Sequence, residues 1–391
     1  MTSRCRLIGA LLVAALLTGC SPGPGGLDRE PHPFDDALPQ ADVSGIQVPV
    51  AFAESLLVDP GWAMRPQEAD GIFLAAVERS EALEYIAVDS DGTVLWAAER
   101  PLSCSGFTLT EDAEGRALAV LTDTTSTEDA FGELTASAYD LATGDPVWGP
   151  VDVPGPYQGP GLVFAAPPEQ YMGETGPRTA LDPATGQVTA AEDRLDEARI
   201  IGEFRGVVLV ADDTSIIGFD GHGGRELWRT GADRLGGDAT AISAGIGDNP
   251  GPGLAQLQIE DTGDALIDLT DGSVLGYPIR DAATESATGT RIIIDATHLR
   301  AFDADENELW SQPISGQTRI AASSEDLHYL EGGGWIRPHH VRTGDVTPAY
   351  DPDDTGPVAV PSLIADTGAA ILDIGQHTLL MTTKPRPGND Q

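Results

Sequence analysis

Acidic side chains gathered in tight turns are the residues whose types and spacing come nearest to metal chemistry in this sequence. The segment Asp303–Asn307 places oxygen ligands at alternate positions, as a calcium-binding loop does. However, Glu308 stands where such a loop needs a glycine, and Ile314 stands where it needs a bidentate glutamate. The shorter acidic turn Asp89–Gly92 carries still fewer ligands. We therefore expect these carboxylates to accept hydrogen bonds from turn backbone, and we predict no metal site.

Imidazole, thiol and amine groups are few. His339 and His340 are adjacent, and neighbouring side chains on a strand point to opposite faces, so we do not expect them to bind one metal ion. Cys104 is predicted to be a small buried residue. Lys384 is the only lysine, beside Pro385, which leaves one candidate for Schiff-base or P-loop chemistry. No zinc-protease, serine-hydrolase or P-loop motif is present, and we predict no catalytic residue and no cofactor.

The N-terminal segment reads as a targeting signal. Arg4 and Arg6 precede the apolar run Leu7–Leu17, which is too short to span a bilayer. The run ends in Leu17–Cys20, which resembles the lipobox of bacterial lipoproteins. In that family the cysteine receives a diacylglyceryl group and becomes the first mature residue, and this role passes to Cys20. The alternative is an ordinary secretory signal with an incidental cysteine.

The lipobox resemblance sets the expected organisation of the chain. Residues 1–19 are predicted to be the signal peptide, and residues 20–40 a flexible tether rich in proline and glycine. The tether would hold residues 41–384 on the extracytoplasmic side of the cell membrane through the lipid on Cys20. Residues 385–391 are predicted to be a disordered tail.

The charge of the chain restricts its partners. The formal net charge is −40, and removal of Arg4 and Arg6 with the signal makes it about −42. Such a surface repels nucleic acid and anionic lipid headgroups, so we predict no nucleic-acid partner. High net charge also keeps a secreted domain soluble, which is the simpler reason for it.

Four of the six tryptophans close copies of one phrase, in which an apolar pair is followed by Asp, a turn and Trp. The copies are Ala87–Trp96, Ala138–Trp148, Gly218–Trp228 and Ala301–Trp310. Three weaker copies lack the tryptophan: Ala180–Gly186, Leu266–Gly272 and Val341–Gly344. The seven turns recur about every 42 residues, which fits one four-stranded propeller blade per copy. Short apolar runs bounded by Gly and Asp precede the turns, so we predict an all-β chain; two examples are Gly206–Val210 and Arg291–Asp295.

The repeated phrase resembles the PQQ-like (pyrroloquinoline-quinone-type) β-propeller repeat, and Asp140–Trp148 is the best match. The resemblance covers roughly residues 70 to 350. In that family the tryptophans dock adjacent blades, and the resemblance gives this role to four residues: Trp96, Trp148, Trp228 and Trp310. The third, fifth and seventh copies have Ala190, Gly276 and Pro348 near the tryptophan position, so docking there must differ.

Two further strands follow the seventh copy, at Gly368–Ile374 and His377–Thr383. They lack a turn and tryptophan, so they form an unfinished blade with an open edge, which closed propellers avoid. We expect Val43–Phe52 to supply the missing strand and to close the ring. The prediction is therefore eight four-stranded blades, with seven as the alternative.

The resemblance and the composition together indicate a non-catalytic, lipid-anchored propeller of the cell envelope that acts as a protein-binding scaffold or sensor. The resemblance extends to the outer-membrane-assembly lipoprotein, whose role requires an outer membrane. The alternative is a quinoprotein dehydrogenase, since those enzymes use the same propeller, but no quinone-binding motif is found here. Two long segments, Thr122–Thr135 and Pro154–Pro177, are predicted to be recognition loops. The partner proteins are unknown.

Overall fold

The fold is described from a computed structural model. The structure describes residues 26–34, 37–102, 105–124, 133–167, 176–195, 197–237, 239–244, 250–285, 287–314, 316–333, 335–353 and 355–386. Cys5, Cys20 and Cys104 lie outside these residues, as do parts of both predicted recognition loops.

In the described part of the chain, thirty strands form eight antiparallel sheets, six of four strands and two of three. Blade 1 contains β2 (Gln67–Ala69), β3 (Ile72–Glu78), β4 (Leu83–Asp89) and β5 (Val94–Arg100). Blade 2 contains β6 (Phe107–Glu111), β7 (Ala117–Thr124), β8 (Leu134–Asp140) and β9 (Pro146–Val153). Blade 3 contains β10 (Val163–Ala165), β11 (Arg178–Leu181) and β12 (Val188–Ala191). Blade 4 contains β13 (Arg199–Phe204), β14 (Val207–Ala211), β15 (Ser215–Asp220) and β16 (Glu226–Gly231).

The second half of the chain has the same arrangement of strands. Blade 5 contains β17 (Ile242–Ala244), β18 (Leu254–Ile259), β19 (Gly263–Asp268) and β20 (Val274–Ile279). Blade 6 contains β21 (Asp281–Thr284), β22 (Arg291–Ile294), β23 (His298–Phe302) and β24 (Glu308–Pro313). Blade 7 contains β25 (Arg319–Ser323), β26 (Leu327–Gly332) and β27 (Trp335–His340). Blade 8 contains β28 (Val360–Ile364), β29 (Ala370–Ile374), β30 (His377–Pro385) and β1 (Ser55–Val58). Short 3-10 helices lie at Val50–Phe52, Glu192–Arg194, Ala232–Leu235 and Ala239–Ala241.

The blades form a propeller ring. The first strands of neighbouring blades contact one another, as β2 does β6 and β25 does β28, so these strands line the centre. The expectation of eight all-β blades is confirmed, with two of them incomplete. In blade 3 the innermost strand is reduced to one bridge between Tyr157 and Phe164, and in blade 7 the outermost is reduced to one bridge between Val346 and His339.

The ring closes through the N-terminal part of the chain, but not through the segment that we predicted. The outermost strand of blade 8 is Ser55–Val58, which pairs with β30, so the choice of Val43–Phe52 was wrong. The backbone of that segment is engaged elsewhere, in the connection that precedes blade 8: Gln47 N donates to Pro357 O and Val50 N donates to Ala349 O. Val50–Phe52 form a 3-10 helix, so this segment does not pair with β30.

Candidate interaction surfaces and blade interfaces

The acidic residue of each repeat is engaged by its own turn. Asp140 Oδ1 accepts hydrogen bonds from the backbone N–H groups of Ala142 and Thr143, at 3.0 and 2.9 Å. Asp303 Oδ1 accepts them from Asp305 and Asn307, at 3.0 and 2.8 Å. The predicted turn role is therefore confirmed for Asp303. Equivalent bonds are made by Asp89, Asp182, Asp220 and Asp268.

The four predicted docking tryptophans each reach into the next blade. In every case the indole Nε1–H donates to the carbonyl of the residue that follows the repeat Asp, or its histidine replacement, of the next copy. The pairs are Trp96 to Leu141 at 2.9 Å, Trp148 to Pro183 at 2.7 Å, Trp228 to Leu269 at 2.7 Å, and Trp310 to Val341 at 2.8 Å.

The indoles also lie against the turn glycine of the next copy. A Cβ on Gly186 would stand 2.5 Å from Cε3 of Trp148, and one on Gly144 would stand 3.1 Å from Cγ of Trp96. Gly272 and Gly344 meet Trp228 and Trp310 in the same way. All four glycines are buried. The turn glycine therefore gives a flat surface for an indole as well as a positive φ.

Interfaces that lack the tryptophan use other contacts. Between blades 3 and 4, the ring of His222 lies 3.0 Å (Nδ1 to Oδ1) from Asp182 and joins the two repeat turns. Between blades 8 and 1, Lys384 Nζ lies 3.0 Å from Asp91 Oδ2, and Thr383 N donates to Ser90 O. The single lysine thus lies at the seam where the ring closes.

The centre of the ring holds two acidic residues that the sequence pattern did not predict, Glu203, which is buried, and Glu68, which is half-buried. Glu203, 1 % exposed, accepts hydrogen bonds from Leu162 N and Gly206 N at 2.9 and 2.6 Å, and so joins blades 3 and 4. Glu68 accepts one from Gly71 N at 2.7 Å. Burial raises the pKa of both carboxyl groups. Each glutamate precedes its glycine by three residues, a spacing that the sequence does display.

The adjacent histidines separate as predicted. His339 is buried and stacks on Trp310, with ring centroids 6.4 Å apart. His340 replaces the repeat Asp, and its Nδ1 accepts a hydrogen bond from Arg342 N at 3.3 Å. Across the described residues, no three His, Cys, Asp or Glu side chains lie close enough to hold a metal ion.

His328 gives the ring a specific response to acid. It is fully buried, Nδ1 lies 2.8 Å from Ser323 Oγ, and Nε2 has no hydrogen-bond partner. Burial lowers the pKa of His328 to about 3. Between about pH 6.5 and 3 the unfolded chain therefore binds a proton that the folded chain does not, so stability falls as pH falls, by up to about 1.4 kcal/mol per pH unit.

We expect His328→Gln to flatten this dependence. The free energy of unfolding, measured by urea titration from pH 7 to 5, should lose about 2 kcal/mol less in the variant than in the parent protein. His377 is exposed, and His377→Gln is the matched substitution against which the change in slope is compared. Identical slopes for the parent and His328→Gln would show that His328 does not carry the effect. Because burial also lowers the pKa of His339, some slope should remain.

The connections between the second and third strands differ sharply in length around the ring. Six of them have four residues or fewer: 79–82, 212–214, 260–262, 295–297, 333–334 and 375–376. Those of blades 2 and 3 span 125–133 and 166–177. All of these connections leave the edge of the ring opposite the repeat turns, because the sheets are antiparallel. Of the predicted recognition loops, Thr122–Thr135 therefore reaches this edge directly. Pro154–Pro177 reaches it through its second half, after Val163–Ala165.

Part of the expected tether lies against the outer wall of the ring. His32 forms an antiparallel bridge with Ala97 on β5, and Gln40 forms one with Val58 on β1. Asp28 N donates to Glu99 Oε2 at 2.9 Å, and Arg29 Nε lies 2.7 Å from Asp123 Oδ2. No helix among the described residues is long and apolar enough to cross a membrane.

These sheets and their interfaces define an eight-bladed β-propeller. No known protein family matches the chain, and no curated protein does so either. Solved structures align over most of it. BamB from Moraxella catarrhalis aligns with 12% sequence identity and a TM-score of 0.45, and the alignment covers 86% of this chain and 99% of the BamB chain. Sqt1 of Saccharomyces cerevisiae does so at 10% identity and TM-score 0.43, covering 90% and 100%. The C-terminal WD40 domain of Sif2 covers 93% and 100%, also at 10% and 0.43. Likeness at this distance says nothing of function, and the fold assignment depends on the sheets themselves.

Proposed function

We propose that this chain is a lipid-anchored, extracytoplasmic propeller of the PQQ-like type that binds protein partners of the cell envelope and catalyses no reaction. One observation carries the proposal: the two long connections between second and third strands belong to neighbouring blades and leave the same edge. Long loops at one site on a rigid ring are a common basis for recognition. The proposed contact surface is therefore the edge of blades 2 and 3 from which these two connections leave, which we call the loop edge.

The docked N-terminal segment supports an orientation for this surface. Asp28 contacts Glu99 near the end of β5, and Arg29 pairs with Asp123 near the end of β7, so both contacts lie at the loop edge. Cys20 precedes Asp28 by eight residues, which span at most about 28 Å when fully extended. A lipid on Cys20 would hold the loop edge of blades 1 and 2 within that distance of the membrane. The partners we propose are therefore membrane proteins or proteins held at the membrane.

Crosslinking in intact cells tests the proposed surface. A photoreactive amino acid placed at Leu134 or Pro167, beside the two long connections, should capture the same partner. Replacement of residues 125–132 by a Gly-Ser linker of equal length should reduce its recovery at least fivefold. The matched control changes the opposite edge of blade 2, with Ala113→Gly and Glu114→Ser, and should leave recovery unchanged. Absence of any specific partner would contradict the proposal, as would turnover that depends on added quinone.

The proposed lipid attachment at Cys20 can be tested separately. In cells fed an alkynyl fatty acid, the parent chain should incorporate the label and Cys20→Ala should lose it entirely, because the thiol is the acceptor of the diacylglyceryl group. Cys5→Ala, which changes another cysteine of the signal segment, should retain full labelling. Labelling that persists in Cys20→Ala would show that this cysteine is not the lipid attachment site.

A further inference from the structure

The interface between blades 3 and 4 leaves room for an aromatic side chain that this chain does not supply. In the four docked copies the tryptophan stands opposite a small residue of the preceding strand, as Trp148 does opposite Ala138. In blade 3 the same register puts Ala190 opposite Ala180. Ala190 thus occupies the tryptophan position, with a methyl group where the other copies have an indole.

A groove of about 130 Å³ lies at that position. Its apolar lining comes from both blades: Val188, Ala190 and Leu195 from the side of blade 3, and Phe219 and Gly224 from blade 4. Thr189 and Arg194 also line the groove. The groove is similar in size to an apolar cavity of about 150 Å³ that accepts benzene, and because it opens to solvent a larger flat ring can enter it in part. Gly224 is exposed, whereas the four glycines covered by indoles are buried.

The groove also repeats the surroundings of the docked indoles. By the repeat register, Gly224 corresponds to Gly186, which lies under Trp148, and the carbonyl of Gly221 corresponds to that of Pro183, which accepts the indole N–H. Blades 3 and 4 are in direct contact beside the groove with no indole between them, since a Cβ on Gly224 would lie only 3.4 Å from Thr189 O. The groove is therefore present before anything binds.

The equivalent position in blade 5 is closed by the chain itself. Gly276 stands opposite Leu266 there, and a Cβ on Gly276 would lie 3.0 Å from Ile279 Cγ2 and 3.2 Å from Ile293 Cδ1. These isoleucines fill the space that an indole would need. The loss of a tryptophan from a copy therefore does not by itself produce a groove, and the one between blades 3 and 4 is a distinct feature.

We propose that this groove binds the side chain of a tryptophan presented by a protein partner. The inference goes beyond the proposed contact surface, because the groove contains the turn glycine Gly224 and so lies toward the edge opposite the long connections. It depends on the proposed function only for a protein partner, which supplies the tryptophan and contacts both places. A tryptophan entering an apolar pocket is a common anchor of protein interfaces, because it combines a large apolar surface with one N–H donor. The groove offers the apolar walls of Leu195 and Phe219. For the N–H, the repeat register supplies the carbonyl of Gly221, the counterpart of the Pro183 carbonyl that accepts from Trp148.

The ring site can be tested without knowing the partner. The probe is 5-fluoroindole, observed by fluorine NMR with the full chain. We expect line broadening that N-acetyl-tryptophanamide reverses and N-acetyl-leucinamide does not. Ala190→Trp, which fills the groove from within, should weaken probe binding at least tenfold. Leu309→Trp, which adds an indole at an exposed position of blade 6, should not weaken it. No broadening with the parent chain, or unchanged binding by Ala190→Trp, would overturn the inference.

Stability and partner capture give independent readouts. Ala190→Trp should raise the melting temperature, while Gly276→Trp should lower it, because its space is already filled. If Ala190→Trp does not fold, Val188→Arg, which places charge at the exposed rim, should abolish probe broadening. In the crosslinking assay Ala190→Trp should reduce partner recovery at least fivefold. Undiminished recovery would overturn the groove as a partner site and leave the proposed function standing. Absence of any partner would contradict the proposed function itself, even if the probe binds.

Discussion

Replacement of Trp96 by alanine is expected to lower the free energy of unfolding by about 3–5 kcal/mol, which is the range for removing a large aromatic side chain from a core. Trp96 is 1 % exposed, and its ring fills the space between blades 1 and 2. The substitution also leaves the carbonyl of Leu141 without its donor in a buried place, which adds to the loss. Urea denaturation followed by circular dichroism in the β region measures the effect.

Trp335 is the matched control for this prediction. It is a tryptophan of the same chain on β27, but it is partly exposed, and its ring is covered by the guanidinium of Arg337 at 4.5 Å from the ring centroid. Trp335→Ala should therefore cost only about 1 kcal/mol. Equal losses for the two variants would show that the indoles of the repeat have no special part in holding the blades together.

The fold could be predicted from the sequence because its strongest signals are local. An Asp that bonds the backbone two or three residues on, a turn glycine and an apolar strand recur about every 42 residues. Each signal is complete within ten residues, so no knowledge of the ring is needed. The runs at Gly206–Val210 and Arg291–Asp295 accordingly match the strands Val207–Ala211 and Arg291–Ile294 within one residue at each end.

Contacts between blades could not be predicted in the same way, because the partners lie roughly 40 residues apart. The tryptophan of one copy packs on the turn glycine of the next copy, although in the sequence each residue belongs to a different repeat. Glu306 shows the consequence. It stands at a turn glycine position with φ 64°, and the preceding blade has Gly276 rather than a tryptophan at the docking position. No indole from the preceding blade covers this turn, so the position does not need a glycine.

The ring closure and the groove between blades 3 and 4 were beyond the sequence for a related reason. Val43–Phe52 and Ser55–Val58 are both apolar enough to complete blade 8, and only the structure shows that the backbone of the first is bonded to the connection before that blade. Ala190 and Gly276 both signal a missing tryptophan, and only the packing of Ile279 and Ile293 shows which space is filled. Volume at an interface depends on two surfaces at once, so a pattern on one strand does not determine it.

The pairing of tryptophan with glycine leads to the second large effect, at Gly186. An alanine there would bring its Cβ to 2.5 Å from Trp148 in a backbone with φ 69°. We expect Gly186→Ala to cost about 2–4 kcal/mol, of which about 1–2 kcal/mol is the left-handed backbone and the rest the steric overlap with the indole. Gly224→Ala is the matched control, with φ 64° and only an ordinary contact at 3.4 Å, and it should show the backbone cost alone.

A double-mutant cycle separates the two terms of the cost at Gly186. In a Trp148→Ala background the overlap is gone, so Gly186→Ala should cost only about 1–2 kcal/mol, the same as Gly224→Ala. The coupling free energy between positions 148 and 186 should therefore reach about 1–2 kcal/mol although they belong to different blades. Urea titration of the four proteins of the cycle measures this coupling. Additive effects would mean that the glycine serves its own turn alone, and that the close contact of ring and turn contributes nothing to holding blades 2 and 3 together.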